Sequence, residues 1–263
     1  TGALGWGVMD LLVRAAEAVE RATGLVEPAE WGQQVGVGPD GSPTSVIDRA
    51  ADQAVREVIE ASGEELNYVS EESETEARGA EWTIVVDPVD GTHNAVADLP
   101  DYSVSLAICK EDLLGAQWGL VRNLTNGWTY QGEKGKGASL NERPIRVSPY
   151  DPGRSLFTLY LGDRAGPKAF ELARQCRRVR NLGAASLDMC LVASGSADLY
   201  YMETTANQLE LRVTDIAASS LIVREAGGEV YSLSGDPLNM PLDPRARANL
   251  FAVGDPRLLE GVL

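Results

Sequence analysis

Trp82-Thr83-Ile84-Val85-Val86-Asp87-Pro88-Val89-Asp90-Gly91-Thr92-His93-Asn94 is the stretch whose reading decides the fold. Ile84-Val85-Val86 is a short β-branched run suited to a strand buried on both faces. Pro88 fixes φ and removes a backbone donor, so Asp87-Pro88-Val89-Asp90 is expected to turn sharply. That turn would bring two carboxylates and a free carbonyl toward one point. Gly91 lets the backbone approach a ligand closely. Two carboxylates crowded at the end of an apolar strand repel, and one is driven neutral unless a cation lies between them. Magnesium meets that need, because it takes oxygen ligands and keeps waters that leave room for phosphate oxygens and a nucleophilic water. If Gly91 and Thr92 open a helical turn, their amides point at the same phosphate.

The chain has 263 residues, 44% of them hydrophobic, which is enough for one large domain or two intimately packed halves. Its formal net charge of -16 argues against nucleic acid or an anionic membrane as partner. It does not argue against a phosphorylated substrate, since local cations and amides can bind an anion on an acidic protein. Cys109, Cys176 and Cys190 are an odd number without a Cys-x-x-Cys pair, and His93 is the sole histidine. A disulfide framework and a zinc site are therefore not expected, and the reading is a reducing cytoplasm. No apolar run approaches the ~18 residues of a spanning helix, and no basic-then-apolar leader opens the chain.

Working outward, residues 8–22 and 45–61 carry the helical apolar period, the second preceded by capping candidates at Thr44 and Ser45 with Asp48 in its first turn. Residues 27–41 are expected to be an irregular connection rich in glycine and proline. A strand at 67–70 would deliver Glu71 and Glu72, and 102–109, 115–121 and 127–132 read as a meander. The glycine-rich segment 132–141 lacks the order of a P-loop. Near 148–153 the texture changes to alternating strands (156–161, 179–182, 197–202, 249–253) and helices (167–176, 183–194, 214–226, 256–262). The chain thus divides into an α+β half, 1–147, and an α/β half, 148–263. Asp215 sits at or beside the N-cap of an alanine-rich helix, where a cap and a metal ligand are compatible roles.

Glu71, the Asp87-Pro88-Val89-Asp90-Gly91-Thr92 segment and Asp215-Ile216-Ala217-Ala218, in that order, resemble the inositol monophosphatase family. The resemblance continues through Pro43-Thr44 to Asp48, Ser70-Glu71-Glu72-Ser73, Gly183-Ala184-Ala185-Ser186-Leu187-Asp188-Met189-Cys190 and Glu225-Ala226-Gly227-Gly228. It is strongest toward archaeal members, several of which act on both inositol monophosphate and fructose 1,6-bisphosphate. It implies a layered α-β-α-β-α sandwich with the active site between the two halves, and a homodimer. It also implies two to three Mg2+ ions, with Mn2+ as a substitute. Glu71, Asp87 and the Val89 carbonyl would hold the ion that activates water. Asp87, Asp90 and Asp215 would hold the one facing the leaving group, and a third, weaker ion would again use Glu71. Thr92, bonded to Asp48, would position the water, and the Gly91 and Thr92 amides would hold the phosphate. Asp90, the amide around Ala185 and Asp215 would bind hydroxyls of a small phosphorylated sugar or polyol.

The sequence departs from the family at Thr214, where a tryptophan is usual, and at His93 and Ala95. Residues 203–210 lie where the family places a substrate-binding glutamate, for which Glu203 is the candidate. A bisphosphate needs a second anion site, for which Arg164, Arg178, Arg180 and Arg212 are candidates. A haloacid dehalogenase chemistry would need Asp-x-Asp, whereas Asp87 and Asp90 are separated by two residues. A 3′(2′),5′-bisphosphate nucleotidase of the same fold and a non-catalytic cation or sugar-phosphate binder are the remaining alternatives.

Overall fold

A computed structural model describes residues 7–205 and 210–263. Its first elements are α1 (Val8–Gly24), β1 (Gln34–Val37), β2 (Pro43–Ser45), α2 (Val46–Ser62), β3 (Asn67–Ser70), β4 (Thr83–Asp90) and α3 (Thr92–Val96). β5 (Ser103–Cys109), β6 (Ala116–Asn123), β7 (Thr129–Glu133), β8 (Gly137–Leu140) and β9 (Arg143–Ile145) follow. After them come β10 (Leu156–Leu159), α4 (Pro167–Gln175), β11 (Arg178–Arg180), α5 (Ala185–Ala193), β12 (Leu199–Met202), β13 (Leu211–Arg212) and α6 (Val213–Glu225). The last are β14 (Glu229–Ser232), β15 (Arg247–Ala248), β16 (Leu250–Val253) and α7 (Leu259–Val262).

Strands β3 to β9 form one sheet in sequence order, and β11-β10-β12-β16-β14 form a second. The two-residue period of the strands builds the layers. On β4, Ile84 and Val86 point into a core shared with α1 and α2, while Val85 points into one shared with α5 and α6. On β12, Tyr200 and Met202 face α5 and α6, while Leu199 and Tyr201 face α4 and α7. The result is the α-β-α-β-α sandwich, with α5 and α6 as the middle layer. Position 148 falls between β9 and β10, but one core runs from β4 through α6 to β16, so both halves share it.

Glycine sets how closely the middle layer lies on the first sheet. A Cβ on Gly119 would stand 2.8 Å from the Ala218 carbonyl, and one on Gly132 would stand 3.2 Å from Ile222 Cα. Helix α6 therefore rests almost backbone to backbone on β6 and β7, which fixes the height of its first turn above the end of β4.

Two expectations are corrected, and one strand is added. Strand β4 does not end at Val86 in a sharp turn but runs to Asp90. Its register with β5 slips between Asp87, opposite Ser105, and Asp90, opposite Ser103. Pro88 has no amide to give to the ladder, and a bulge absorbs the omission while re-aiming the carboxylates. Residues 27–41 are not wholly irregular, because β1 pairs with β2. Strand β14 was not foreseen, since Val230 is its one fully buried position and it follows two glycines.

Candidate active site

Parallel pairing of β3 with β4 sets Ser70 opposite Val86, so Glu71, just past the end of β3, stands beside Asp87 of β4. Asp215 reaches that pair as the third residue of α6, its carboxylate accepting the Arg212 amide at 2.8 Å. It thus caps α6 from within the helix's first turn, beside an N-cap that is Arg212. Glu71, Asp87 and Asp215 each present an oxygen within 4.8 Å of the others. Asp87 is 2% exposed, and its buried Oδ1 has no hydrogen-bond partner. Burial first, then mutual repulsion, pushes the Glu71 and Asp87 carboxyls well above their usual range. Burial also raises Asp215, against the pull of Arg212.

Asp90 stands apart from that trio. Its Oδ2 accepts the Ser186 amide at 2.7 Å and the Ser186 hydroxyl, and Ser186 Oγ in turn meets Ser103 Oγ at 2.8 Å. Asp90 is therefore seated on the first turn of α5, with the positive end of that helix beside it. Burial, then repulsion from Asp215, still brings its carboxyl up to about 7. Of the expected ligands, Glu71, Asp87 and Asp215 converge, while Asp90 has one oxygen already engaged.

Thr92 Oγ1 lies 3.0 Å from Asp48 Oδ1 and 2.9 Å from the Val89 carbonyl, so its single hydroxyl proton has two acceptors. Asp48 is held in turn by Ser45, whose amide and hydroxyl reach its Oδ2 at 3.0 and 2.6 Å in the α2 capping box. Gly91 takes a left-handed φ of 86°, and a Cβ there would stand 3.0 Å from the Asp101 carbonyl. Glycine is thus required where β4 gives way to α3, and Gly91 and Thr92 both border the cleft.

The cleft has a volume of about 720 Å³, and His93, Val96, Tyr160, Arg164, Asn181 and Glu210 surround its mouth. Ala185 lies on its wall. Arg164 borders it but is paired with Glu210 at 2.5 Å. Arg178 and Arg180 do not border it: both are exposed on β11, and Arg180 donates to the Val179 carbonyl. Arg212 does border it, but its guanidinium is bound to Asp40 and Glu71 and is not free for a second phosphate. The structure thus leaves Arg180 outside the cleft and brings Arg212 to it already paired. Glu203 accepts the Lys168 amide at 3.1 Å and lies at the start of α4 away from the cleft. Residues 206–209 of the expected substrate segment lie outside the described residues.

Sequence reasoning singled out Glu72 beside Glu71 at the end of β3 without giving it a role, and it missed Asp40, Ser186 and Asp188 as residues of this site. Glu72 borders the cleft, raised to about 7 by burial and then by Asp48. Asp188 is 4% exposed, borders the cleft and has an unpartnered Oδ1. Both occur in segments that the family resemblance had already marked. Beyond its turn with Ser42, Asp40 carries no local signal of this role, because its charged partners Arg212 and Arg247 come from β13 and β15.

The model of the inositol monophosphatase family matches residues 9–262. The chain is 36% identical to a fructose-1,6-bisphosphatase/inositol-1-monophosphatase of Methanothermobacter thermautotrophicus, over 95% of this chain and 93% of that one. It is 32% identical to a bifunctional NADP phosphatase/NAD kinase of Methanococcus maripaludis, over 93% of this chain but 46% of that longer protein. Among solved structures it is similar to an inositol monophosphatase–fructose 1,6-bisphosphatase, with a TM-score of 0.85 at 26% identity, covering 99% of this chain and 100% of that one.

Proposed function

Because the chain belongs to the inositol monophosphatase family, we propose that it is a magnesium-dependent phosphomonoesterase acting on inositol 1-phosphate and fructose 1,6-bisphosphate. The observation that carries this reading is the unpartnered, buried Asp87 Oδ1 within a trio of converging carboxylates. So much negative charge out of water is costly unless a cation shares it, and an all-oxygen donor set suits a hard dication. Glu71, Asp87, Asp215 and the Val89 carbonyl would hold two to three Mg2+ ions, or Mn2+ in their place, with Asp90 contributing its less engaged oxygen. Bound there, the metal supplies Lewis acidity, lowering the pKa of water and neutralising charge on the phosphoryl and leaving oxygens.

The residues of the chain do the rest. Asp48, fixed by Ser45, takes the Thr92 proton and leaves a Thr92 lone pair to orient the attacking water. The backbone of Gly91 and Thr92 binds phosphate oxygens, and Ala185, Asp90 and Asp215 lie where hydroxyls of the alcohol would sit. Attack is direct, with no nucleophilic side chain acylated or phosphorylated. We further propose a cytoplasmic homodimer without nucleic-acid or membrane partners. Three free cysteines support the reducing compartment, and among the described residues no helix is long and apolar enough to cross a membrane.

A second reading is favoured by the NADP phosphatase relative: a nucleotide carrying a ribose phosphate. Phosphate release from inositol 1-phosphate, fructose 1,6-bisphosphate, 3′-phosphoadenosine 5′-phosphate and NADP+, with Mg2+ or with EDTA, separates these substrates. Release from none of the four with either Mg2+ or Mn2+ would leave a non-catalytic binder of cations and sugar phosphates.

A further inference from the structure

The guanidinium of Arg212 stands among the converging carboxylates with its side chain 18% exposed. Its Nη1 lies 2.8 Å from Glu71 Oε1 and 4.0 Å from Asp215 Oδ1. Its backbone amide donates to Asp215 Oδ2 at 2.8 Å, so one residue holds two of the three converging acids. The other edge of the guanidinium is tied down as well, with Nε and Nη2 donating to Asp40 Oδ2 at 2.9 and 2.8 Å.

Asp40 is itself fully engaged in the turn between β1 and β2. Its Oδ1 takes the Ser42 amide at 2.9 Å and the Ser42 hydroxyl, and its Oδ2 also takes Arg247 Nη2. Arg212 and Arg247 face each other across the β13–β15 pair, so both cations reach Asp40 from one ribbon. The turn rests directly on the acid it governs, since a Cβ on Gly38 would stand 2.6 Å from the Glu71 carbonyl.

A buried ion network costs desolvation and is a poor device for stability alone. What this one achieves is orientation, because a planar guanidinium gripped along one edge presents its remaining N–H in a fixed direction. We propose that Arg212, clamped by Asp40, is a positioning residue for cation binding that holds Glu71 and Asp215 turned toward Asp87 before an ion arrives. The proposal rests on the reading of those three acids as cation ligands. Groups that orient metal ligands typically change metal affinity by about 10–100-fold when removed.

The test is Mn2+ titration of the full chain, with free Mn2+ read by electron paramagnetic resonance and folding checked by circular dichroism in EDTA. Arg212→Gln should raise the Mn2+ Kd by about 10–100-fold. Arg212→Lys should recover part of that loss, because a point charge can reach Asp40 or Glu71 but cannot grip one while presenting a fixed donor to the other. Asp40→Asn touches no ligand and should still weaken binding by about tenfold. If Arg212→Gln does not fold, the Lys and Asp40 variants carry the test. A folded Arg212→Gln or Asp40→Asn protein with the wild-type Kd overturns the clamp while the cation site stands. A wild-type protein that binds no Mn2+ overturns the cation site and the clamp with it.

Discussion

The floor of the cleft and its rim are made of different material. On the floor, Asp87, Asp90 and Asp215 are 2%, 8% and 6% exposed and issue from a central strand and a buried helix. On the rim, Arg164 keeps 44% of its side chain in solvent and His93 is exposed. Floor positions are set by ladder register and core packing, which leave a carboxylate few places to go. Rim positions are set by long side chains on loops and short helices, which many sequences can supply. A family can therefore hold the chemistry constant at the floor while the substrate changes at the rim.

The comparison breaks most directly at Asp87. Asp87→Asn should cost at least about 10⁴-fold in kcat, the scale of losing a central catalytic group, while metal-free folding is retained. Near wild-type turnover in that variant would remove the floor from the chemistry. Thr92→Ala and Asp48→Asn should each cost on the order of 10²–10⁴ in kcat. Since the two share one hydrogen bond, the double variant should lose little more than either alone. Fully multiplicative losses in steady-state kinetics would show that they act independently.

Stability against pH sharpens the same contrast. Asp90 and Glu72 are raised to about 7 in the fold, above their unfolded range near 4. Between these values the folded state keeps protons that the unfolded chain has released, so stability falls as pH rises through that window. The melting temperature in EDTA should therefore drop from about pH 5 to pH 7, and saturating Mg2+ should flatten the slope. A flat or rising curve in EDTA would contradict the crowding of the floor.

Smaller effects are expected away from the acids. Gly119→Val would press a side chain onto the α6 backbone and should cost about 1–3 kcal/mol by thermal unfolding. On the rim, Arg164→Ala breaks an exposed pair worth at most about 1 kcal/mol. It should change KM for fructose 1,6-bisphosphate only a few-fold and leave inositol 1-phosphate unaffected. A large loss on both esters would move Arg164 from the rim to the chemistry.

Much of the floor was legible because its elements announce themselves locally. A β-branched run ending in Asp87, a strand ending before Glu71 and an apolar helix opening near Asp215 each place an acid at the end of an element. The bulge between Asp87 and Asp90 was not legible, because Pro88 suits a turn as well as a slipped ladder, and only pairing with β5 selects between them. Which arginine reaches the cleft was not legible for a related reason. Arg180 and Arg212 look alike as sequence, yet one is exposed on an edge strand and the other is enclosed by Asp40 and Glu71.

By itself, the sequence determined most of the helices and strands in order and the acids Glu71, Asp87, Asp90 and Asp215, which depend on local patterning and on motifs of adjacent residues. Through the family resemblance of those motifs it determined the layered fold. Tertiary structure alone decided that Asp90 is seated on Ser186 and that Arg212 grips Glu71 and Asp40. It alone decided as well that Asp188 borders the cleft. Those contacts join segments about a hundred residues or more apart, and their direction follows from how α5, α6 and the β1–β2 turn settle on the first sheet. No local period records where a distant side chain arrives.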